Sequence, residues 1–249
     1  FFINNFLFGL PKFTIKDGVS CIACHINPTG SGLRNDYGTN IVSIDALPLE
    51  RWLENADDNW DGYISENLQI GGDFRIQAIK YNNTDSTQKT AVFPMQADIY
   101  SYFSLHKNGG IYSKLGVLGR KNLNIEYWIL INNLPKNIWL KIGKSIPDYG
   151  LRVDDHTSFI RGGNYNRTKK LSHEKEGLIF SVYNVPPSII ELGMSISSNI
   201  DWIASTSTSL IEQDETIGSF TSKLIYKNSL SNKFNYRFSL SYMKENIFK

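Results

Sequence analysis

Cysteine is scarce in this chain, whose 249 residues include only two, Cys21 and Cys24. A closed structural zinc site needs four ligands, and no second cysteine pair is present to complete one. Long apolar runs are also lacking, because no window reaches the roughly 18 uncharged apolar residues that a membrane-spanning helix requires. If the chain lies in a membrane, it must therefore cross as a closed barrel, the other fold that pairs every backbone polar group in lipid.

The chain also lacks an excess of charge of one sign. Its formal net charge is +2 at pH 7, and no run of lysine or arginine forms the clustered basic face that nucleic-acid binding requires. We therefore expect no nucleic-acid partner. Hydrophobic residues make up 41% of the chain and charged residues 20%, a balance that argues against disorder. Aromatic residues are abundant at 13%, which suits either a soluble β core or the interfacial girdles of an outer-membrane barrel.

The strongest motif is C-x-x-C-H at Cys21, Cys24 and His25, the attachment pattern of c-type haem. Two thiols at this spacing can each add to one haem vinyl group, and the adjacent histidine is then held beneath the iron as its proximal ligand. A thioredoxin-like redox pair expects a βαβ context and does not use the histidine. The motif predicts one covalent haem, with a disulfide or dithiol pair and a metal site as the alternatives. Covalent haem is assembled after export, so we expect the mature protein outside the cytoplasm.

The residues that follow the motif predict a tight loop. Asn27, Pro28, Gly30 and Gly32 favour turns, and such a loop lets the backbone approach the porphyrin closely. Arg34 is a candidate partner for a haem propionate through a bidentate contact. The alternative is that Arg34 is an exposed loop arginine.

The sixth ligand of the iron is less clearly marked. His156 is our candidate because Asp154, Asp155 and Arg161 lie near it in the sequence, and carboxylates can orient an imidazole and raise its basicity. Water or an open position is the alternative, as are the remaining histidines and methionines: His106, His173, Met95, Met194 and Met243.

From about Leu68 onward, apolar and polar residues alternate with a period of two. In one such segment Phe238, Leu240 and Tyr242 share a face, and Arg237 and Ser239 share the other. About ten segments of roughly ten residues each can be counted, and turn signals separate them at 107–110, 132–137, 184–187 and 227–233. The pattern predicts an all-β fold in which consecutive hairpins form an antiparallel meander.

The length of these strands favours a membrane β-barrel of the porin type over a soluble sandwich. Sandwich strands usually have about five or six residues, whereas a tilted strand that crosses a bilayer needs about ten. Small polar residues on one face suit a wet or plugged lumen better than a dry core. We expect three parts: a short haem-binding segment at 1–45, a linker at 46–67 and an outer-membrane β-barrel at 68–249.

A haem motif followed by such a barrel resembles the bacterial outer-membrane monohaem cytochrome–porin fusions, a family best known among iron-oxidising bacteria. The resemblance covers the whole chain in architecture. It rests on the segment 10–38 and, less specifically, on 143–161. It implies that the haem segment lies inside or at the mouth of the barrel. Barrels of these fusions are expected to be larger than ten strands, so the strand count and completeness at the C-terminal end stay open.

The function that follows from this resemblance is electron transfer across the bacterial outer membrane. Extracellular ferrous iron is the candidate donor, a periplasmic carrier such as a soluble cytochrome is the expected partner, and outer-membrane lipid surrounds the barrel. Two other functions stay open: a diffusion porin whose haem is a structural or sensory plug, and a haem enzyme such as a peroxidase.

Three acidic residues in the predicted barrel, Glu126, Asp148 and Glu191, are candidates for guiding a hard cation such as ferrous iron through the lumen. The alternative is that they belong to ordinary solvated surface.

Overall fold

The computed structural model describes residues 14–15, 18–42, 62–82, 88–116, 124–150, 186–208, 217–231 and 234–245. Within these ranges, ten strands form a single sheet in which each strand is paired with its neighbours in sequence. All the pairings are antiparallel. The predicted all-β antiparallel meander of about ten strands is therefore confirmed. No helix in the described ranges is both long enough and apolar enough to cross a membrane.

The strands differ widely in length, from 3 to 19 residues. β1 lies within the range that we assigned to the linker, and β2 begins at the residue where we expected the barrel to begin. In chain order the strands are β1 Tyr63–Ser65, β2 Leu68–Asn82, β3 Gln88–His106, β4 Gly109–Gly116, β5 Asn124–Leu134, β6 Ile138–Lys144, β7 Ser188–Ser197, β8 Ile200–Thr208, β9 Ile217–Ser231 and β10 Phe234–Glu245. Short helical turns cover Cys21–Ala23, Gly38–Val42 and Pro135–Asn137.

Turns lie where two of the sequence signals placed them. β3 and β4 are joined at 107–108, and β5 and β6 are joined through Pro135–Asn137. The turn signal at 227–233 also falls between two strands, but it is broader than the connection, because β9 continues as strand through Ser231 and β10 begins at Phe234. Ser229 and Ser231 pair with Asn235 and Phe234 of β10. Cross-strand pairing therefore overrides the local preference of these polar residues for a turn.

The two faces of the sheet are the reverse of those in a water-soluble β protein. In β9, Thr221 is 2% exposed, whereas Leu224 is 43% exposed. The same alternation runs through most of the sheet, so that the inward face is largely polar and the outward face is apolar. Exposed outward residues include Phe74, Ile76, Ile99, Phe103, Ile111, Ile125, Ile129, Ile142, Ile190, Phe238 and Leu240.

Charged side chains on the inward face form ion pairs between strands. Lys114 on β4 lies 3.4 Å from Asp98 on β3 and 3.4 Å from Glu126 on β5. Lys141 on β6 pairs with Glu191 on β7, and both side chains are 0% exposed. Two further pairs involve β9: Lys227 pairs with Asp201 on β8, and Lys223 pairs with Asp148, which follows β6 in the chain. Such pairing offsets the cost of removing these charges from water.

These ion pairs include the three acidic residues that the sequence analysis proposed as guides for a cation. Glu126, Asp148 and Glu191 are all buried, and each is matched by a lysine. The alternative that they are ordinary solvated surface is therefore wrong.

A short segment after β6, residues 145–150, crosses the inward face. Ser145 donates a hydrogen bond to Glu126 (3.2 Å), and the backbone N–H of Asp148 donates to Glu191 (2.8 Å). At its far end, Gly150 donates to the Ser241 hydroxyl of β10 (3.0 Å). The segment thus joins the middle of the sheet to its last strands, which requires the sheet to curve around it. Within the described residues, β1 and β10 are not paired with each other.

We expect Glu191→Gln to lower the free energy of unfolding by about 3–5 kcal/mol, because it leaves the buried ammonium of Lys141 without its counter-charge. A denaturant titration of the folded protein measures this. The double variant Lys141→Met with Glu191→Gln should recover most of the loss, since it keeps an acceptor for the Asp148 N–H. Lys136→Met, at an exposed turn position, should stay within about 0.5 kcal/mol of the parent. A Glu191→Gln protein as stable as the parent would contradict the role of this pair.

Candidate functional site

The C-x-x-C-H motif forms a tight turn. Cys21–Ala23 is a single 3₁₀ turn, and the N–H groups of Cys24 and His25 both donate to the Cys21 carbonyl, at 3.1 and 3.0 Å. Both cysteines are half-buried thiols rather than the two halves of a disulfide. The disulfide alternative therefore finds no support in the structure.

The residues after the motif form a small hairpin, as the turn signals predicted. His25 and Arg34 face each other in an antiparallel bridge, and the Ile26 N–H donates to the Leu33 carbonyl (3.1 Å). Asn27 holds the turn. Its side-chain amide donates to the Gly30 carbonyl (3.0 Å), and its backbone carbonyl accepts from the Gly30 N–H (2.9 Å). This side chain thus replaces backbone hydrogen bonds within the turn.

Asn35 is a positioning residue that the sequence did not reveal. Its side-chain amide donates to the carbonyls of Ile22 (3.1 Å) and Ala23 (3.0 Å), and its N–H donates to the carbonyl of Cys24 (3.1 Å). The three bonds tie the hairpin back onto the motif turn. No motif signals such a contact, because it depends on how the chain returns after residue 34.

Two glycines are required by close approaches. Gly30 has φ +88°, and a Cβ there would lie 3.3 Å from Sγ of Cys21. Gly32 has φ +71°, and a Cβ there would collide with the hydroxyl of Tyr112 on β4. Glycine tolerates positive φ without a steric penalty, so these positions let the loop turn next to the thiols and against the sheet.

The hairpin packs on the inward face of β2 to β5. Leu33 joins a buried cluster with Tyr100, Tyr112, Trp128 and Leu130, within which the rings of Tyr112 and Trp128 stack at 4.3 Å. Gln69 of β2 donates to the Arg34 carbonyl (3.0 Å). We call the described N-terminal residues, 14–15 and 18–42, the motif segment. One side of this segment is thereby fastened to the first strands of the sheet.

The other side of the segment is fastened to the last strands. The Ser20 hydroxyl donates to Asp201 on β8 (3.1 Å) and accepts a hydrogen bond from the Lys227 ammonium on β9 (2.7 Å). Arg237 on β10 donates to the Thr14 hydroxyl (3.2 Å). The motif segment therefore lies inside the curve of the sheet, between its two ends.

A cavity of about 880 Å³ lies between the motif segment and the sheet. The four residues predicted from the N-terminal sequence to bind haem, Cys21, Cys24, His25 and Arg34, all line it. Nδ1 of His25 is buried, and the His25 residue borders the cavity. The volume lies within the range of about 300–1,000 Å³ typical of cofactor pockets. Size, thiols and imidazole are compatible with a covalently attached haem, and we call this space the motif cavity.

Of the candidates for a sixth ligand that the structure describes, Met194 alone borders the motif cavity. His106 is exposed at the β3–β4 turn, where its Nδ1 accepts from the Asn108 N–H (3.3 Å). Met194 borders the cavity, but alternation with Gly193 and Ser195 places it in the outward set of β7. Met243 is not among the residues that line the cavity. His156, His173 and the side chain of Met95 lie outside the described residues, so His156 as the distal ligand stays a prediction.

No cluster of three or more histidine, cysteine, aspartate or glutamate side chains suited to a metal ion occurs in the described part of the chain. Comparison with protein-family models, with curated proteins and with solved structures gives no match in any of the three. The resemblance to cytochrome–porin fusions therefore stays a prediction. Function has to be argued from the motif cavity and from the sheet around it.

We expect Gly32→Ala to destabilise the protein more than Gly18→Ala does. Both glycines have positive φ, +71° and +66°, but a Cβ at Gly18 meets nothing within 4 Å. Gly18→Ala should cost about 1–2 kcal/mol for the left-handed backbone, and Gly32→Ala should cost about 1–3 kcal/mol more for the collision with Tyr112. Denaturant unfolding of the two variants measures the difference.

Tyr112→Phe removes the colliding hydroxyl, so adding it to Gly32→Ala should restore part of the lost stability. Equal losses in Gly18→Ala and Gly32→Ala would show that the hairpin does not pack on Tyr112.

Proposed function

We propose that this chain is an outer-membrane electron-transfer protein that carries one haem attached to Cys21 and Cys24. The observation that carries the proposal is the position of the motif cavity. Cys21, Cys24 and His25 line it together on the polar inward face of a curved sheet whose outward face is apolar. A c-type haem supplies reversible one-electron chemistry when it is bound.

The residues of the motif segment have distinct roles in this proposal. The thiols of Cys21 and Cys24 would each add to one haem vinyl group, and the imidazole of His25 would hold the iron. Asn35 and Asn27 hold the turn that presents these three side chains, through the hydrogen bonds described above. Arg34 is exposed and borders the cavity, where its guanidinium can pair with a carboxylate.

The outward face supports placement in a lipid bilayer. Its side chains are large and apolar, and they remain strongly exposed, as Leu240 does at 76% and Phe238 at 66%. Keeping such surface out of water is favourable by about 25 cal/mol per Å², and lipid tails would cover it. β2, β3 and β9 have 15, 19 and 15 residues, more than the 9–11 or so that a tilted strand needs to cross a bilayer. Because lipid cannot pair an open strand edge, the proposal requires the sheet to close as a porin-like barrel.

The inward face supports electron transfer less directly. A barrel wall separates the motif cavity from lipid, and its polar lining leaves the cavity open to partners at the ends of the barrel. A single haem does not bridge a whole bilayer, so a soluble periplasmic carrier approaches from one side in this proposal. Ferrous iron as the external donor rests on the resemblance alone. Glu126, Asp148 and Glu191 are neutralised by lysines and are poor guides for a cation.

Replacement of either thiol tests the cofactor. We expect Cys21→Ala and Cys24→Ala each to weaken covalent haem attachment and the double variant to abolish it, because the chain has no other cysteine. Haem-stained denaturing gels of outer-membrane fractions measure attachment and location together. Ile22→Ala is the matched control, since it changes an exposed side chain between the two thiols and should keep the stain.

A parent protein in the outer-membrane fraction without covalent haem would remove the electron-transfer proposal but not the barrel. A parent protein with haem in the soluble periplasmic fraction would remove the barrel but not the cofactor.

Electron flow can be measured in vesicles that hold the purified protein in their bilayer and an oxidised soluble cytochrome inside. We expect external ferrous iron to reduce the enclosed cytochrome when the parent protein is present. The Cys21→Ala, Cys24→Ala double variant should support no reduction above that of protein-free vesicles. Ion conductance without any reduction of the enclosed cytochrome would instead indicate a porin whose haem is a plug.

A further inference from the structure

Among the charged residues of the inward face, Arg237 differs from the lysines. Lys114, Lys141, Lys223 and Lys227 each lie within ion-pair distance of a carboxylate. Arg237 forms no ion pair with any described carboxylate, and its hydrogen bond within the described residues goes to the neutral hydroxyl of Thr14. Within the described residues, the inward lysines are thus neutralised, whereas the Arg237 guanidinium has no carboxylate partner.

Arg237 also faces the motif cavity. It lies on β10 in the same alternating set as Ser239 and Ser241, and Ser241 accepts the hydrogen bond from the segment 145–150 on the inward face. Both Arg237 and Ser239 line the cavity together with Cys21, Cys24 and His25. The large apolar side chains of β10 that are exposed, Phe238, Leu240 and Tyr242, alternate with this set and belong to the opposite face. The charge of Arg237 is therefore directed towards the space that the motif encloses.

An unneutralised guanidinium at a half-buried position attracts an anion. Its planar group carries five N–H donors, and its geometry matches two oxygens of a carboxylate. The bond to Thr14 uses one nitrogen, NH1, so other donors remain for a ligand. A carboxylate within the cavity would supply the charge that the described chain does not.

We propose that Arg237 is a binding site for a carboxylate in the motif cavity and that this carboxylate is a haem propionate. The identity of the carboxylate rests on the proposed function, since a haem attached at Cys21 and Cys24 brings two propionates into the same space. Arg34 is fastened to β2 through its carbonyl, whereas Arg237 belongs to β10. The two arginines thus come from opposite ends of the sheet, one for each propionate.

Arg237 then has an electrostatic effect on the iron. A positive charge that pairs with a propionate favours the reduced state, because reduction adds one negative charge nearby. Removing that charge should lower the reduction potential. The pair is half-buried, so salt should screen it less than it screens a surface pair.

The test compares Arg237→Gln, Arg237→Lys and Lys244→Gln with the parent protein in its haem-bound form. Lys244 is the matched control, because it lies on the same strand, is exposed and belongs to the outward face, opposite to Arg237. Haem content from the alkaline pyridine spectrum, the propionate bending band in resonance Raman spectra and a redox titration are measured for each.

We expect covalent haem in all four proteins. Arg237→Gln should shift the propionate band and lower the reduction potential, whereas Lys244→Gln should change neither. Arg237→Lys should shift the band but keep the potential close to that of the parent, since it retains the charge and loses the planar fork. If Arg237→Gln does not fold, as judged by circular dichroism, Arg237→Lys is used instead. A shifted propionate band in Arg237→Lys then supports the assignment, and an unshifted band contradicts it.

An Arg237→Gln protein whose band and potential match those of Lys244→Gln would overturn the assignment. A parent protein without covalent haem would instead remove the proposed function itself. An unchanged band combined with altered preference for anions over cations in planar-bilayer conductance would show that Arg237 binds a free anion, which also overturns the assignment to propionate.

Discussion

The fold depends on matching charges across the inward face of the sheet. Removing a charge from water is costly unless an opposite charge and hydrogen bonds replace the solvent, and lysines and carboxylates meet this requirement between neighbouring strands. Lys114 links three adjacent strands, and Lys141 with Glu191 links the next two. Because a shift of one residue would turn each partner to the opposite face, the pairs also specify the register of the sheet.

The motif cavity follows from the same constraint. Glu191 and Lys223 hold the segment 145–150 across the inward face, and the pair of Lys227 with Asp201 holds Ser20 of the motif segment. Charged side chains of the sheet thus also bind the two segments that lie inside it. The cavity is the space left between them, and its position beside the C-x-x-C-H turn is a consequence of these contacts.

Local features of the sequence predicted a large part of this arrangement. Strict alternation identified the strands, and the turn residues after His25 predicted the tight loop that the structure forms as a small hairpin. Arg34 borders the cavity, and its pairing with a haem propionate stays a prediction. Contacts between distant segments could not be predicted in this way. The bonds of Asn35, the collision at Gly32 and the partners of Glu126 all depend on which strands become neighbours, and no local pattern carries that information. For the same reason β9 extends through a stretch rich in turn residues.

The motif segment binds partners that are far away in the sequence. Ser20 and Asp201 are 181 residues apart, and Thr14 and Arg237 are 223 residues apart. Contacts of such high contact order form slowly, since the entropy of closing a long loop must be overcome first. Local turns such as the one at Cys21 can form much earlier. During folding the thiols of Cys21 and Cys24 therefore stay accessible until the last strands arrive, so the order in which these contacts form limits the time in which the proposed haem would have to be attached.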